Sequence, residues 1–162
     1  MTDQFLLEQF TDCYDRNGWF VSVRNAIDDL TAEEAAWKPD AADNSIWQTL
    51  SHLTFYNFAY LERFKGKTYD YPVENNDETF TAGFSDDAWA AEIERFDAVM
   101  VELRDLIGAA DEAKLSEPVS DTNQASWSEL IGKINAHNAY HAGQILLLRK
   151  LQGSWNRTKG VS

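Results

Sequence analysis

Apolar residues recur three and four positions apart along four long stretches of the chain, a spacing that places them on one face of an α-helix. The predicted stretches are Asp3 to Ile27, Ser45 to Lys65, Ser85 to Gly108, and Ser126 to Leu151. No stretch shows the sustained alternation of apolar and polar residues that is typical of a strand. The pattern therefore predicts an all-α fold dominated by four long helices.

Local polar residues indicate where several helices begin and end. In a capping box, a Ser or Thr side chain and a Glu or Gln side chain three residues later bond each other's backbone N–H groups. Three pairs have this spacing: Ser45 with Gln48, Ser126 with Glu129, and Thr31 with Glu34. The last pair predicts a short helix that Pro39 ends, and Gly66 and Gly153 are natural stops for two of the long helices.

The length of the predicted helices favours a bundle. At a rise of about 1.5 Å per residue, the longer ones span about 31–38 Å and match one another, which suits a four-helix bundle. The chain has 162 residues, so we expect one domain over residues 1–162. The link over residues 66–84 is unusually long, and such loops are usually functional or disordered.

Composition narrows the class of partner. The chain carries 27 Asp and Glu against 14 Lys and Arg, a formal net charge of −13. This excess opposes binding to nucleic acid or to an anionic membrane surface. Cys13 is the single cysteine, which excludes an intrachain disulfide and a thiolate metal cluster. The first residues resemble no signal peptide and the longest aliphatic run, Ile145 to Leu148, is too short to cross a bilayer, so we expect a cytoplasmic protein.

The three histidines are the strongest chemical signal. His137 and His141 lie one turn apart on the apolar stripe of the fourth predicted helix, and His52 lies beside the stripe of the second. Together they would form a three-ligand site for Zn²⁺, Ni²⁺ or Fe²⁺ with positions left for water or substrate. The alternative is a set of core histidines bonded to Asn138, Tyr56 or a backbone carbonyl, or a pH-sensitive packing element. Asn138 stands where a zinc peptidase of the HExxH type has its general base, which disfavours that chemistry.

Three further residues of interest lie on the apolar stripe of the first predicted helix. Asn17 and Arg24 fall on its apolar stripe, where they would form either the wall of a pocket or the polar rim of the bundle. Cys13 falls on the same stripe, so we expect a buried, unreactive thiol.

Several segments resemble the DinB-like (DinB/YfiT) superfamily. They are Trp47 to Leu53, the run from Ser126 to Arg149 that contains His137, His141 and Gly143–Gln144, and the stretch from Leu30 to Pro39. The resemblance implies a four-helix bundle with an up-down-down-up course, and a divalent metal held by His52, His137 and His141. It also implies a homodimer.

The resemblance also implies an activity. The chain resembles family members that transfer a low-molecular-weight thiol, such as bacillithiol or mycothiol, to a small electrophilic substrate. Others resemble metal-assisted hydrolases of small molecules, and a metal-binding stress-response bundle without turnover is the alternative class. Tyr56 and Tyr140 are the candidate catalytic proton donors, although aromatic residues in helices more often serve packing. Gln144 is the candidate for orienting a histidine.

Overall fold

The computed structural model describes residues 2–160, with side chains from residue 4 onward. Over this range the chain forms seven α-helices and two short 3-10 helices, and no strand. The all-α prediction is confirmed. The α-helices are α1 (Thr2–Tyr14), α2 (Val23–Ile27), α3 (Ala32–Ala36), α4 (Ile46–Phe64), α5 (Asp86–Ala109), α6 (Glu112–Ser116) and α7 (Trp127–Gln152), and the 3-10 helices are Asn76–Thr79 and Arg157–Lys159.

Local side-chain chemistry sets most of the helix boundaries. All three predicted capping boxes form, at Thr31, Ser45 and Ser126. Gly66 follows α4 and Gly153 caps α7, both with a φ of 81°, a left-handed conformation that glycine adopts without steric cost. Gly108, predicted to close the third long helix, instead lies inside α5, which continues to Ala109. The short helix α6 was not predicted.

The prediction of one helix from Asp3 to Ile27 is wrong, because the chain leaves the helix after Tyr14 and turns back into α2. The Asn17 side chain stabilises the turn, because its Oδ1 accepts a hydrogen bond from the Ser22 backbone N–H at 3.0 Å. An Asn side chain that bonds the backbone in this way competes with helix formation. Asn17 therefore lies in the turn, and its amide donates to the Lys159 carbonyl.

Arg24 likewise has a structural role. It lies in α2, and its Nε donates to Asp97 of α5 at 3.1 Å. Arg24 and Asn17 therefore connect elements at the edge of the core, and neither lines the histidine site described below.

The four longest helices pack around one hydrophobic core. α4 and α1 each contact both α5 and α7, while α2 packs on α7 and α3 on α4. The core side chains that are fully buried include Phe10, Leu50, Leu53, Phe96, Met100, Ile131 and Ile145. No helix in the described part of the chain is long and apolar enough to cross a membrane.

Cys13 is buried in this core, as predicted. Its thiol donates to the Asn135 carbonyl at 3.2 Å, and burial raises its pKa to about 12. Nucleophilic cysteine chemistry needs the thiolate, so this thiol is unreactive at neutral pH.

One polar pair lies within the contact between α4 and α7. Asn57 and Asn138 exchange hydrogen bonds through both amides, with N–O distances of 2.9 and 3.2 Å, and the side chains are almost completely buried. Because each amide satisfies the other, the pair fixes one register of α4 against α7.

We predict that Asn138→Ala lowers the free energy of unfolding by about 2 kcal/mol, because it leaves the Asn57 amide buried without its partner. The double variant Asn57→Leu/Asn138→Leu removes both polar groups and is expected to lose less than the two single leucine variants combined. Chemical denaturation measures both effects, with the exposed Lys150→Ala on the same helix as control. Additive losses in the double variant would contradict the pairing.

Candidate metal centre

Three histidine side chains meet where α4 faces α7. His52 comes from α4, and His137 and His141 come from successive turns of α7. Their Nε2 atoms converge, with His137 Nε2 lying 3.1 Å from that of His52 and 3.1 Å from that of His141. A tetrahedral Zn²⁺ with Zn–N bonds of about 2.0–2.1 Å separates its nitrogen ligands by about 3.3 Å. The three imidazoles therefore form a group with the dimensions of a metal site.

The tautomer of His52 follows from its outer contact. His52 Nδ1 lies 2.7 Å from the Thr79 hydroxyl, and this hydroxyl donates its own hydrogen to the Asn76 carbonyl at 2.7 Å. Since Thr79 has a single hydrogen to donate, Nδ1 of His52 must carry the proton in their shared bond. His52 Nε2 is then left with a free lone pair, which points to the centre of the cluster.

His141 is held in the same way by its own helix. Its Nδ1 lies 2.7 Å from the side-chain oxygen of Gln144, which accepts but cannot donate. The Gln144 amide nitrogen in turn donates to the Tyr140 hydroxyl at 3.0 Å. His141 therefore also carries its proton on Nδ1 and directs the lone pair of Nε2 inward. An outer hydrogen bond of this kind is usual for a metal-ligating histidine.

The site keeps the imidazoles neutral. His52 and His141 are only 3% and 6% exposed. Burial, and to a lesser degree the neighbouring imidazoles, lowers the pKa of His52 to about 3 and that of His137 to about 4, and burial lowers the pKa of His141 as well. Neutral imidazole is the form that binds a metal ion, so the cluster does not have to lose protons at neutral pH before it can act as a ligand set.

The cluster opens into a cavity of about 530 Å³ between α4, α7 and the 3-10 segment. Phe80 stacks on the His52 ring with centroids 4.1 Å apart. Tyr56 forms another wall, and its hydroxyl donates to the Asn76 side chain at 3.0 Å. Tyr140 stands at the rim, 63% exposed, with its ring 5.0 Å from that of His141. The volume lies within the range of small-molecule sites.

The structure thus brings together all six residues that the sequence singled out around this site: His52, Tyr56, His137, Tyr140, His141 and Gln144. It adds residues that the sequence did not indicate. Asn76, Thr79 and Phe80 come from the 66–84 link, and Tyr60, Lys133 and Ile134 of the long helices complete the cavity lining. Asn75 caps the 3-10 helix of this link through a bond to the Asp77 N–H. An Asn followed by acidic residues predicts such a turn, but no local signal shows that the turn packs on His52.

We predict that Thr79→Val weakens binding of Zn²⁺ about tenfold or more, since it removes the acceptor that holds His52 in the required tautomer. Competition with a chromophoric chelator measures the affinity, and ¹⁵N shifts of the His52 ring report the tautomer in the metal-free protein. Thr81→Val, an exposed change two residues away, is the matched control. Unchanged ring shifts in Thr79→Val would show that the hydroxyl does not set the tautomer.

Comparison with known proteins gives one result. The family model described as the DinB superfamily matches residues 22–145, which include all three histidines. Comparisons with curated proteins and with solved structures give no match. The matched region covers well over half of the sequence, and the chain therefore belongs to the DinB superfamily.

Proposed function

We propose that the protein is a metal-dependent enzyme that transfers a low-molecular-weight thiol to a small electrophilic substrate. The observation that carries the proposal is the convergence of three neutral imidazoles, two with outer hydrogen bonds that direct Nε2 inward, on a cavity large enough for a small molecule. Three protein ligands leave a coordination position open, as in catalytic metal sites.

His52, His137 and His141 are the proposed ligands, and the all-nitrogen donor set suits Zn²⁺ or Ni²⁺, with Fe²⁺ the third choice. A divalent ion in this position would lower the pKa of a thiol or water molecule and polarise an electrophile. The chain itself positions the ligands: Thr79 holds His52, and Gln144 holds His141.

The two tyrosines differ in how they can handle a proton. The Tyr56 hydroxyl already donates to Asn76, and burial raises its pKa, so its proton is engaged. The Tyr140 hydroxyl accepts from Gln144, which leaves its own hydrogen free to be donated into the cavity mouth. We therefore assign Tyr140 as the proton donor to the product and Tyr56 as a wall of the cavity that orients substrate.

We propose that residues 1–162 form one domain and that its four long helices follow the up-down-down-up course of a four-helix bundle. The ring of contacts among α1, α5, α4 and α7 supports this arrangement. We further propose a cytoplasmic homodimer that binds a small-molecule substrate. We also propose that it binds neither nucleic acid nor membrane, and the net charge of −13 supports this last point alone.

We predict that untagged protein loaded with Zn²⁺ or Ni²⁺ and then passed through a desalting column retains about one ion per chain by elemental analysis. His137→Ala is expected to lose the ion while retaining the helical circular dichroism signal, because His137 is only partly buried. His-tagged preparations are unsuitable, since affinity resin supplies Ni²⁺. A protein that binds no ion would leave the histidines as a packing element.

We predict that the metal-loaded protein accelerates consumption of a thiol by an electrophile, and that His137→Ala abolishes the acceleration while Tyr140→Phe reduces the rate about 100-fold. The assay follows free thiol across a panel of thiols and electrophiles, with Lys150→Gln as a surface control. Acceleration of ester or amide hydrolysis instead would indicate a metal-assisted hydrolase. Metal binding without either reaction would indicate a non-catalytic bundle.

A further inference from the structure

The charge of the site differs from that of the whole protein. The chain carries a net charge of −13, yet no Asp or Glu is among the described residues that line the histidine cavity. Lys133 is the lysine in that lining, and no arginine accompanies it there. A molecule that enters this cavity therefore meets a local positive charge.

Lys133 is placed to act together with the cluster. It lies on α7 one turn before His137, so both side chains project to the same side of the helix. Their Cα atoms are separated by about 6 Å along the helix axis. Lys133 lines the same cavity as all three imidazoles.

Lys133 has no partner of opposite charge among the described residues, although nine of the 14 Lys and Arg side chains form ion pairs there. The natural partner would be Glu129, one turn earlier on α7. The capping box holds that carboxylate instead, because Glu129 Oε2 accepts from the Ser126 N–H at 3.1 Å. The geometry of the cap thus directs the nearest helical carboxylate away and leaves the ammonium available.

We propose that Lys133 binds an anionic group of the substrate, so that the site selects a small thiol bearing a carboxylate a few bonds from its sulfur. This inference rests on the proposed thiol transfer and specifies its substrate class. The carboxylate accepts a hydrogen bond from the Lys133 ammonium while the sulfur reaches the three imidazoles. Tyr56 and Phe80 line the same cavity and offer apolar surface to the short carbon chain.

The test measures binding, not turnover. Untagged protein is loaded with Co²⁺, whose visible spectrum reports coordination of a thiolate. It is then titrated with three thiols of matched length: 3-mercaptopropionate, 3-mercaptopropanol and 3-aminopropanethiol. We expect 3-mercaptopropionate to bind most tightly and 3-aminopropanethiol most weakly.

Variants assign the preference to one side chain. Lys133→Gln is expected to weaken binding of 3-mercaptopropionate about fivefold, the upper range for an exposed ion pair, without changing that of 3-mercaptopropanol. Lys133→Glu is expected to reverse the order of the charged thiols, and added salt to reduce the preference in the wild type. Lys150→Gln, an exposed lysine of the same helix outside the cavity, is the matched control and is expected to behave as wild type.

The outcomes separate the two proposals. Binding of all three thiols with equal affinity, or a preference that survives Lys133→Gln, overturns the assignment of Lys133 and leaves thiol transfer intact. Failure of every thiol to change the cobalt spectrum overturns thiol transfer and this inference with it. A carboxylate preference that is lost in Lys133→Gln and retained in Lys150→Gln supports both.

Discussion

The register of α4 against α7 is the constraint on which the site depends. Each helix contributes to one histidine cluster, and a slip of one turn, about 5.4 Å, would separate nitrogens that now lie 3.1 Å apart. Apolar packing alone tolerates alternative registers, because one aliphatic side chain can replace another in a groove. The reciprocal bonds of Asn57 and Asn138 are not interchangeable in this way, since any slip would break both bonds between two buried side chains. The polar pair thus supplies a specificity that the surrounding core does not.

The 66–84 link belongs to the site because it orients His52. A histidine on a buried helix face needs a partner for its second nitrogen, and Nδ1 of His52 finds that partner outside α4. The 3-10 helix Asn76–Thr79 supplies the Thr79 hydroxyl, and Phe80 covers the ring. On α7, by contrast, Gln144 lies one turn after His141 and provides the partner within the same helix. His141 is therefore oriented by its own helix and His52 by a distant segment, so movement of the link would affect His52 first.

These differences explain how much the sequence predicts. Capping boxes and glycine stops act over three or four residues, and the starts of α4 and α7 follow from them. The alignment of His137 with His141 follows from helical periodicity, and the family resemblance indicates His52. The end of α1 depends on Asn17, whose amide also reaches Lys159 at the other end of the chain. The contact of Thr79 with His52 joins residues 27 positions apart. Interactions of this kind depend on the folded arrangement, and no local pattern in the sequence predicts them.

The net charge of the protein and the charge within the cavity affect different classes of molecule. The excess of acidic residues acts at long range and disfavours polyanionic partners, but at physiological ionic strength its influence decays over about 8 Å. A small molecule already inside the cavity interacts with the groups that line it, which include the three imidazoles, tyrosine side chains and the ammonium of Lys133 but no carboxylate among the described residues. An acidic surface and a cavity that favours a small anion are therefore compatible. The surface disfavours large polyanions, whereas a small anion is screened until it reaches the lysine, so the two charge distributions together favour substrates of low molecular weight.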